Sequence, residues 1–495
     1  MRPRVLLPAA LVLIAITALL LQGASTRGLV PSMAPGDEAD VRPNIVVILT
    51  DDMRTDEMQY LPFTQQFLAS GGTTYTNAIS PHPICCPARA ELVTGQYGHN
   101  NGVRHNLGPY GGIDALRRPD DTIGRWLDLA GYRTGYHGKY LNGYTRSLGR
   151  PAGWDAWDPI VGGTTYAYWR SEWYDGDVYE DRYITDVTSE RVGGMVDDLS
   201  GDDPFMMVVN HTAPHGRSGG LVKKPATQPR YDDEYLDLRP EFMDRPSFYE
   251  DDVADLPRDL FEADFTKKDE LVRARARARA LRSVDDSIQQ LVTDLEESGE
   301  LDNTILVFTS DNGFVLGEHR MHGKNYLVDE SLDIPLLVRG PGVPAGATNH
   351  ETVTLVDLAA TILEWAGAEP SADRPSDGLS LLDTTALAER DTVLVQAGDG
   401  ERDADHGWRY RGVTTDRYLY ATHPGDPSVG LLFDREVDPW ALDNVYGDPR
   451  YAATQAELRR RLVELADCRG AECNQSFGPV PGPTESPART KARRR

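Results

Sequence analysis

Cysteine is scarce in this chain, and positive charge is outnumbered. Four cysteines occur in 495 residues. Two of them, Cys85 and Cys86, stand side by side, and adjacent cysteines do not readily bond to each other, so the pair has no evident structural purpose. The others, Cys468 and Cys473 in "CRGAEC", read as a small disulfide loop closing the C-terminal region in an oxidising compartment; pairing with Cys85 or Cys86 is the less economical alternative. Lys and Arg total 51 against 77 Asp and Glu, a net charge of -26. That balance argues against nucleic acid as a partner and suits solubility outside the cell. It also means that an anionic substrate must be held by local cations. Zinc signatures are missing: there is no His-Glu-x-x-His and no paired Cys-x-x-Cys.

A long apolar run occurs only at the start. After Arg2 and Arg4 the chain is apolar from Val5 to Leu21 and then gives Gly23-Ala24-Ser25, the order of a secretory signal peptide over residues 1–25. The run is near the lower limit for a membrane span, so an uncleaved N-terminal anchor is the alternative to secretion. No cysteine follows it to take a lipid. Residues 26–41, rich in Pro, Gly and Ser, read as a linker, and the Pro- and Arg-rich tail 476–495 as disordered. Between them lie roughly 430 residues, enough for one large domain over 42–388 and a smaller one over 389–475.

Several segments run apolar and then turn polar at once. "NIVVILTDD" leads into Asp51 and Asp52, and "NTILVFTSDNG" into Asp311 and Asn312. "PFMMVVNHTAPHG" ends in His211 and His215, and "DIPLLVRGPG" supplies another strand. Continuous β-branched runs of this kind suit strands buried on both faces. Helical patterns lie between them, the clearest with Leu281, Val284, Ile288, Leu291, Val292 and Leu295 on one face and a stop at Gly299. Strands alternating with helices predict an α/β sheet covered on both sides, with ligands bound beyond the carboxyl ends of the strands. Carboxylates and an amide gathered there need a cation, and oxygen ligands point to one Ca²⁺ or Mg²⁺.

The segment Pro83 to Gly95, "PICCPARAELVTG", carries the decisive pattern. It resembles the signature of the type I sulfatases, Cys-x-Pro-Ser/Ala-Arg followed by two apolar residues and Thr-Gly, and every position is filled. The resemblance implies that Cys85 is oxidised to Cα-formylglycine before folding, by a formylglycine-generating enzyme. One hydroxyl of the hydrated aldehyde attacks sulfur, and the other, on losing its proton, expels sulfate and restores the aldehyde. Cys86 then occupies a variable position. The resemblance further implies Asp51, Asp52, Asp311 and Asn312 as metal ligands with position 85 beside them, and Arg89 orienting the formylglycine. Lys139 and Lys324 would hold sulfate oxygens, and His215 would contact the sulfate and protonate the leaving oxygen.

The pattern departs from many sulfatases after Lys139, where Tyr140, Leu141 and Asn142 replace Trp-His. Asn142 is the expected partial substitute, with His137 a weaker one. Together with "GKYLNGY" and "IPLLVRGPG", the departure places the chain nearest the glucosamine-6-sulfatases and heparan endosulfatases, over about Pro43 to Leu382. The implied fold is alkaline phosphatase-like, a large mixed sheet between helices followed by a smaller antiparallel sheet with one helix at Tyr451 to Ala466. The implied ligand is a sulfated carbohydrate or small sulfate ester. Two alternatives stand beside this reading: a phosphonate monoester or phosphodiester hydrolase of the same superfamily, and a catalytically silent glycan-binding protein whose Cys85 is never modified. Asn312, where two-metal phosphatases place a histidine, argues for one cation. "VRARARARALR", with five arginines, is expected to form a solvated, partly salt-bridged surface, and the charged loop from Gly216 to Asp255 to shape a substrate rim.

Overall fold

The structure is a computed structural model and describes residues 42–219, 222–261, 265–400 and 404–484. The expected signal peptide and linker, and most of the expected tail, lie outside the described residues. Among the described residues no helix is long and apolar enough to cross a membrane.

The expected strands form, and they sit in the middle of one sheet. Asn44–Thr50 pairs in parallel with Thr304–Ser310 on one side and Phe205–Asn210 on the other. Arg133–Gly138 and Ala156–Val161 extend the parallel core. Every residue of Asn44–Thr50, Phe205–Asn210 and Thr304–Ser310 is buried, as their unbroken apolar character requires. The strand Leu336–Arg339 adds antiparallel to Thr304–Ser310 and leads to an outer pair, Thr73–Tyr75 and Ala347–Asn349. Arg170–Trp173 and Val178–Glu180 close the opposite edge antiparallel. The result is a ten-stranded mixed sheet.

Helices cover both faces. Ile45, Val47 and Leu49 point into a core shared with the helices Cys85–Thr94, Ile123–Leu129 and Leu355–Ala366. Val46 and Ile48 point into a second core with Ile184–Leu199 and the long helix Lys267–Glu297. That helix packs along the face predicted from Leu281 to Leu295 and ends just before Gly299, whose φ of 78° suits a residue without a side chain.

The smaller unit is a four-stranded antiparallel sheet, Val393–Gly398, Trp408–Thr414, Tyr418–His423 and Asp426–Asp434. The helix Ala452–Leu465 packs on it through Leu458, Leu462 and Leu465, the three residues of the expected inner face. Cys468 and Cys473 form a disulfide beside this helix.

Candidate active site

The site follows from strand order. Because three neighbouring strands run parallel, with Thr50 opposite Ser310 and Leu49 opposite Asn210, their polar carboxyl ends fall together. Asp52 turns in the left-handed region at φ 70°. Its backbone N–H donates to Asp311 Oδ1 at 3.0 Å, and Asn312 Nδ2 donates to Asp52 Oδ1 at 2.8 Å. Asp51, Asp52, Asp311 and Asn312 are all buried.

Cys85 is the first residue of the helix Cys85–Thr94, where backbone N–H groups favour negative charge. Its Sγ lies 3.4 Å from Asp51 Oδ1. Arg89, one turn on, sends Nε to Asp311 Oδ2 at 2.9 Å and Nη1 to Asn210 Oδ1 at 2.7 Å and the Lys139 carbonyl at 3.0 Å. Lys139 follows the strand Arg133–Gly138 and places Nζ 2.5 Å from Asp51 Oδ2. Lys324 follows a short hairpin, Val315–Leu316 with His322–Gly323, and its Nζ bonds Asp52 Oδ1 and Cys85 Sγ. His215 Nδ1 donates to the Gly216 carbonyl at 2.7 Å, which leaves Nε2 facing the cluster 3.5 Å from Asp52 Oδ2. Every residue expected from the sequence is therefore brought to one place.

Three carboxylates face three cationic side chains here, and Asp51 and Asp52 and the two lysines shift one another. Burial pushes Asp51 up, but Lys139, His215 and Lys324 outweigh it and hold the carboxyl at about 2. Asp52 is likewise held below its ordinary value, against burial, by Lys324 and His215. Lys139 and Lys324 are raised despite burial by the Asp51 and Asp52 carboxylates. Burial lowers His215, against the pull of the Asp52 and Asp51 carboxylates. Burial pushes the Cys85 thiol up to about 12, the opposite of what a thiolate catalyst needs. Only His215 and Lys324, at 21% and 14% side-chain exposure, open to solvent, which marks the entrance.

The donor set fits a hard cation. Ligand atoms of Asp51, Asp52, Cys85 and His215 lie within 4.8 Å of one another. Asn312 Oδ1 is buried and has no hydrogen-bond partner among the described residues, so its lone pairs are available to a metal. Asp311 accepts from the Asp52 N–H through one oxygen and from Arg89 through the other, as the Asp51 oxygens also carry donors, and a carboxylate oxygen with one donor keeps a lone pair for an ion.

Other residues enter that sequence reasoning missed. Asn210 is one; the rule that picked Asp51 and Asp311 at strand ends applies equally to it, the last residue of "PFMMVVN". Tyr166 is another, in a loop without any sequence signal. Its ring stacks on His215 with centroids 4.0 Å apart and lies 5.1 Å from Lys139 Nζ. His211 is buried away from the cluster and is pushed down to about 3 by burial. His137 bonds Asp158 at 2.8 Å and stacks on Trp173, which commits it to packing. The Asn142 carbonyl accepts from Ile113 N, and among the described residues its side-chain Oδ1 has no hydrogen-bond partner, so no bond there replaces the absent histidine.

The arginine run is not the solvated surface expected from its charge. Glu270, Arg273 and Arg277 share one side of the long helix, at spacings of three and four, and all three are buried. Arg277 Nε and Nη2 reach both oxygens of Glu57 at 2.6 Å, and Nη2 also donates to the Asp52 carbonyl. Arg273 donates to the Lys223 carbonyl at 3.0 Å in the loop after His215 and pairs with Glu270. Glu270 in turn lies 3.0 Å from His322 Nδ1, two residues before Lys324. Arg275 and Arg279 bond the carbonyls of Leu238 and Glu234. One helix face thus touches the segments carrying Asp52, His215 and Lys324.

The chain is similar to known proteins over most of its length. The family model "Sulfatase" matches residues 43–368, and the model "N-sulphoglucosamine sulphohydrolase, C-terminal" matches residues 317–468. The chain is 32% identical over 461 residues to an extracellular sulfatase Sulf-1 homolog of Caenorhabditis elegans, covering 88% of this chain and 62% of that protein. It is 30% identical over 389 residues to human N-acetylglucosamine-6-sulfatase, covering 74% of this chain and 69% of that protein. Among solved structures, one in complex with its substrate D-glucosamine-2-N,6-O-disulfate matches with a TM-score of 0.66 and 24% identity over 86% of this chain and 97% of that one. A phosphonate monoester hydrolase from Silicibacter pomeroyi matches with a TM-score of 0.62 and 22% identity over 85% and 94%. These two share the fold.

Proposed function

The chain belongs to the sulfatase family, and from that premise we propose that it is a secreted hydrolase of sulfate monoesters on sugars, of the N-acetylglucosamine-6-sulfate kind. The observation that carries the proposal is the ring of three buried carboxylates with Arg89, Lys139 and the partly exposed Lys324 around Cys85 at a helix start. The names of the relatives support both the sugar and the extracellular setting.

In this reading Asp51, Asp52, Asp311 and Asn312 would hold one Ca²⁺ or Mg²⁺, with position 85 beside them. Such an ion neutralises charge on the sulfate oxygens. Cys85, matured by a formylglycine-generating enzyme, supplies the nucleophilic hydroxyl and the route for releasing sulfate. The protein's other groups then have separate tasks. Lys139 and Lys324 flank position 85 and bind the sulfate oxygens as point charges. Arg89 spans Asp311 and Asn210, which holds two strand ends in register with the helix. His215 stands at the entrance, its Nδ1 bonded to the Gly216 carbonyl, so Nε2 is the nitrogen that exchanges a proton with the leaving oxygen. Tyr166, stacked on the imidazole, keeps that ring from turning.

The test is the mass of the tryptic peptide ending at Arg89, from protein made in its native host, followed by sulfate release from 6-sulfated glucosamine. A formylglycine mass with sulfate release is expected. An unmodified thiol would refute the hydrolase and leave a glycan-binding protein. A formylglycine mass with turnover of phosphonate esters in place of sulfate esters would move the chain to the phosphoryl branch.

A further inference from the structure

A second group of cationic side chains lies at the far end of the helix Cys85–Thr94, about 15 Å from Cys85 at the usual rise per residue. There Arg117, Arg118, Arg374 and Arg469, with Gln96 and Asn100, line a cavity of about 200 Å³. Asp373 is the one carboxylate in its lining. In a chain of net charge -26, four guanidinium groups meeting in one cavity run against the prevailing charge.

The cavity floor is Arg374, 2% exposed. Its Nε donates to Gln96 Oε1 at 2.9 Å, Nη1 to the carbonyls of Arg118 and Asp121 at 3.0 and 2.5 Å, and Nη2 to the Arg117 carbonyl at 2.5 Å. All these acceptors are neutral, and among the described residues no carboxylate lies within ion-pair distance. A buried charge hydrogen-bonded only to neutral oxygens is costly, and burial holds this guanidinium down to about 10, against the pull of the Asp121 carboxylate and with Arg118 adding to the depression. Arg117 and Arg469 are exposed at the rim and bond backbone carbonyls, those of His99 and Asn100 for Arg117 and that of Asp373 for Arg469. Arg118 alone is matched by carboxylates, Asp121 at 2.7 Å and Asp373 at 3.0 Å.

The walls are preorganised. Asp377 accepts from Tyr97 N, Asn100 Nδ2 and Gly470 N at 2.9, 2.8 and 2.8 Å. The disulfide Cys468–Cys473 encloses Arg469. Guanidinium forks match the paired oxygens of sulfate and carboxylate groups. The volume is below the range of about 300–1,000 Å³ that encloses a whole small molecule, so it suits one charged substituent with the rest of the ligand outside.

We propose that this cavity is an anion-docking subsite, separate from the reaction centre, that takes a sulfate or carboxylate group of a polyanionic carbohydrate. The inference deepens the reading of the chain as a sulfatase of sulfated sugars and rests on it for the ligand class.

The test uses the full chain carrying Arg117→Ala with Arg469→Ala, both at exposed positions outside the reaction centre. A fully sulfated heparin hexasaccharide, inorganic sulfate and nitrophenyl sulfate are the probes. The hexasaccharide Kd should weaken roughly tenfold, the scale of two exposed charged contacts, and its salt dependence should become shallower, while nitrophenyl sulfate turnover stays at the wild-type value. The Arg117→Lys, Arg469→Lys pair should recover part of the loss. An unchanged hexasaccharide Kd would overturn the proposal, and so would inorganic sulfate that competes as strongly as the oligosaccharide. A parallel fall in nitrophenyl sulfate turnover would overturn it too, since the arginines would then act through the fold. If no sulfate ester is turned over even by the wild type, the hydrolase reading fails while the Kd comparison still decides the subsite.

Discussion

Arg277→Met tests the link between the long helix and Asp52. The Arg277 and Glu57 side chains are 1% and 6% exposed. Removing the guanidinium strands a buried carboxylate, which costs about 3–5 kcal/mol, a large share of the roughly 5–15 kcal/mol by which a domain is stable. Adding Glu57→Gln removes the stranded charge and should recover at least about half of that loss. It does not replace the bond to the Asp52 carbonyl, which a charged donor makes worth about 1.5–3 kcal/mol. If that bond fixes the Asp52 turn during reaction, kcat of the double variant stays about 10- to 100-fold low, at about 1.4 kcal/mol per tenfold. Urea unfolding gives the stability and nitrophenyl sulfate the rate. A double variant that regains both wild-type stability and wild-type kcat would refute the claim that this helix positions Asp52.

Three further outcomes are expected. Dialysis against a chelator should abolish sulfate release and lower the melting temperature, with Ca²⁺ or Mg²⁺ restoring both; Asn312→Ala should weaken the calorimetric metal Kd at least about tenfold, and an unchanged Kd would remove Asn312 from the ligand set. His82 is pushed down to about 3, first by burial and then by His105, against about 6.5 in the unfolded chain. The unfolded state therefore binds the extra proton below that value, and stability is lost as pH falls from about 6.5, by about 1.4 kcal/mol per unit for this one imidazole. Urea midpoints at pH 7, 6 and 5 should show a gentler slope for His82→Gln, and an identical slope would mean that His82 is protonated in the folded protein.

Strand ends were legible because two kinds of signal coincide in them. Apolar runs such as Ile45–Leu49 fix burial, and the abrupt change to Asp51-Asp52 fixes where the strand leaves the sheet, so fold and carboxylate cluster emerge together. The nine expected site residues added a family pattern to that. What stayed hidden depends on partners remote in sequence. Arg273 and Arg277 look like solvated charges because nothing near them in the chain shows Glu57, Lys223 or His322 arriving from other segments. Tyr166 faces His215 only because a loop returns over the sheet. The arginine cavity joins residues from 96 to 469, a convergence that no local window contains.

The complete burial of Cys85 makes time a component of the site. Once the helix Cys85–Thr94 has docked against the sheet, no enzyme reaches that side chain, so any change to it must be finished while the chain is still open. If Cys85 is matured as proposed, activity is decided by a race between two rates, that of the modifying reaction and that of collapse around position 85. A substitution that hastens folding of this segment would yield a more stable protein with fewer working copies, and slowing translation or export would recover them without altering a single contact in the folded state.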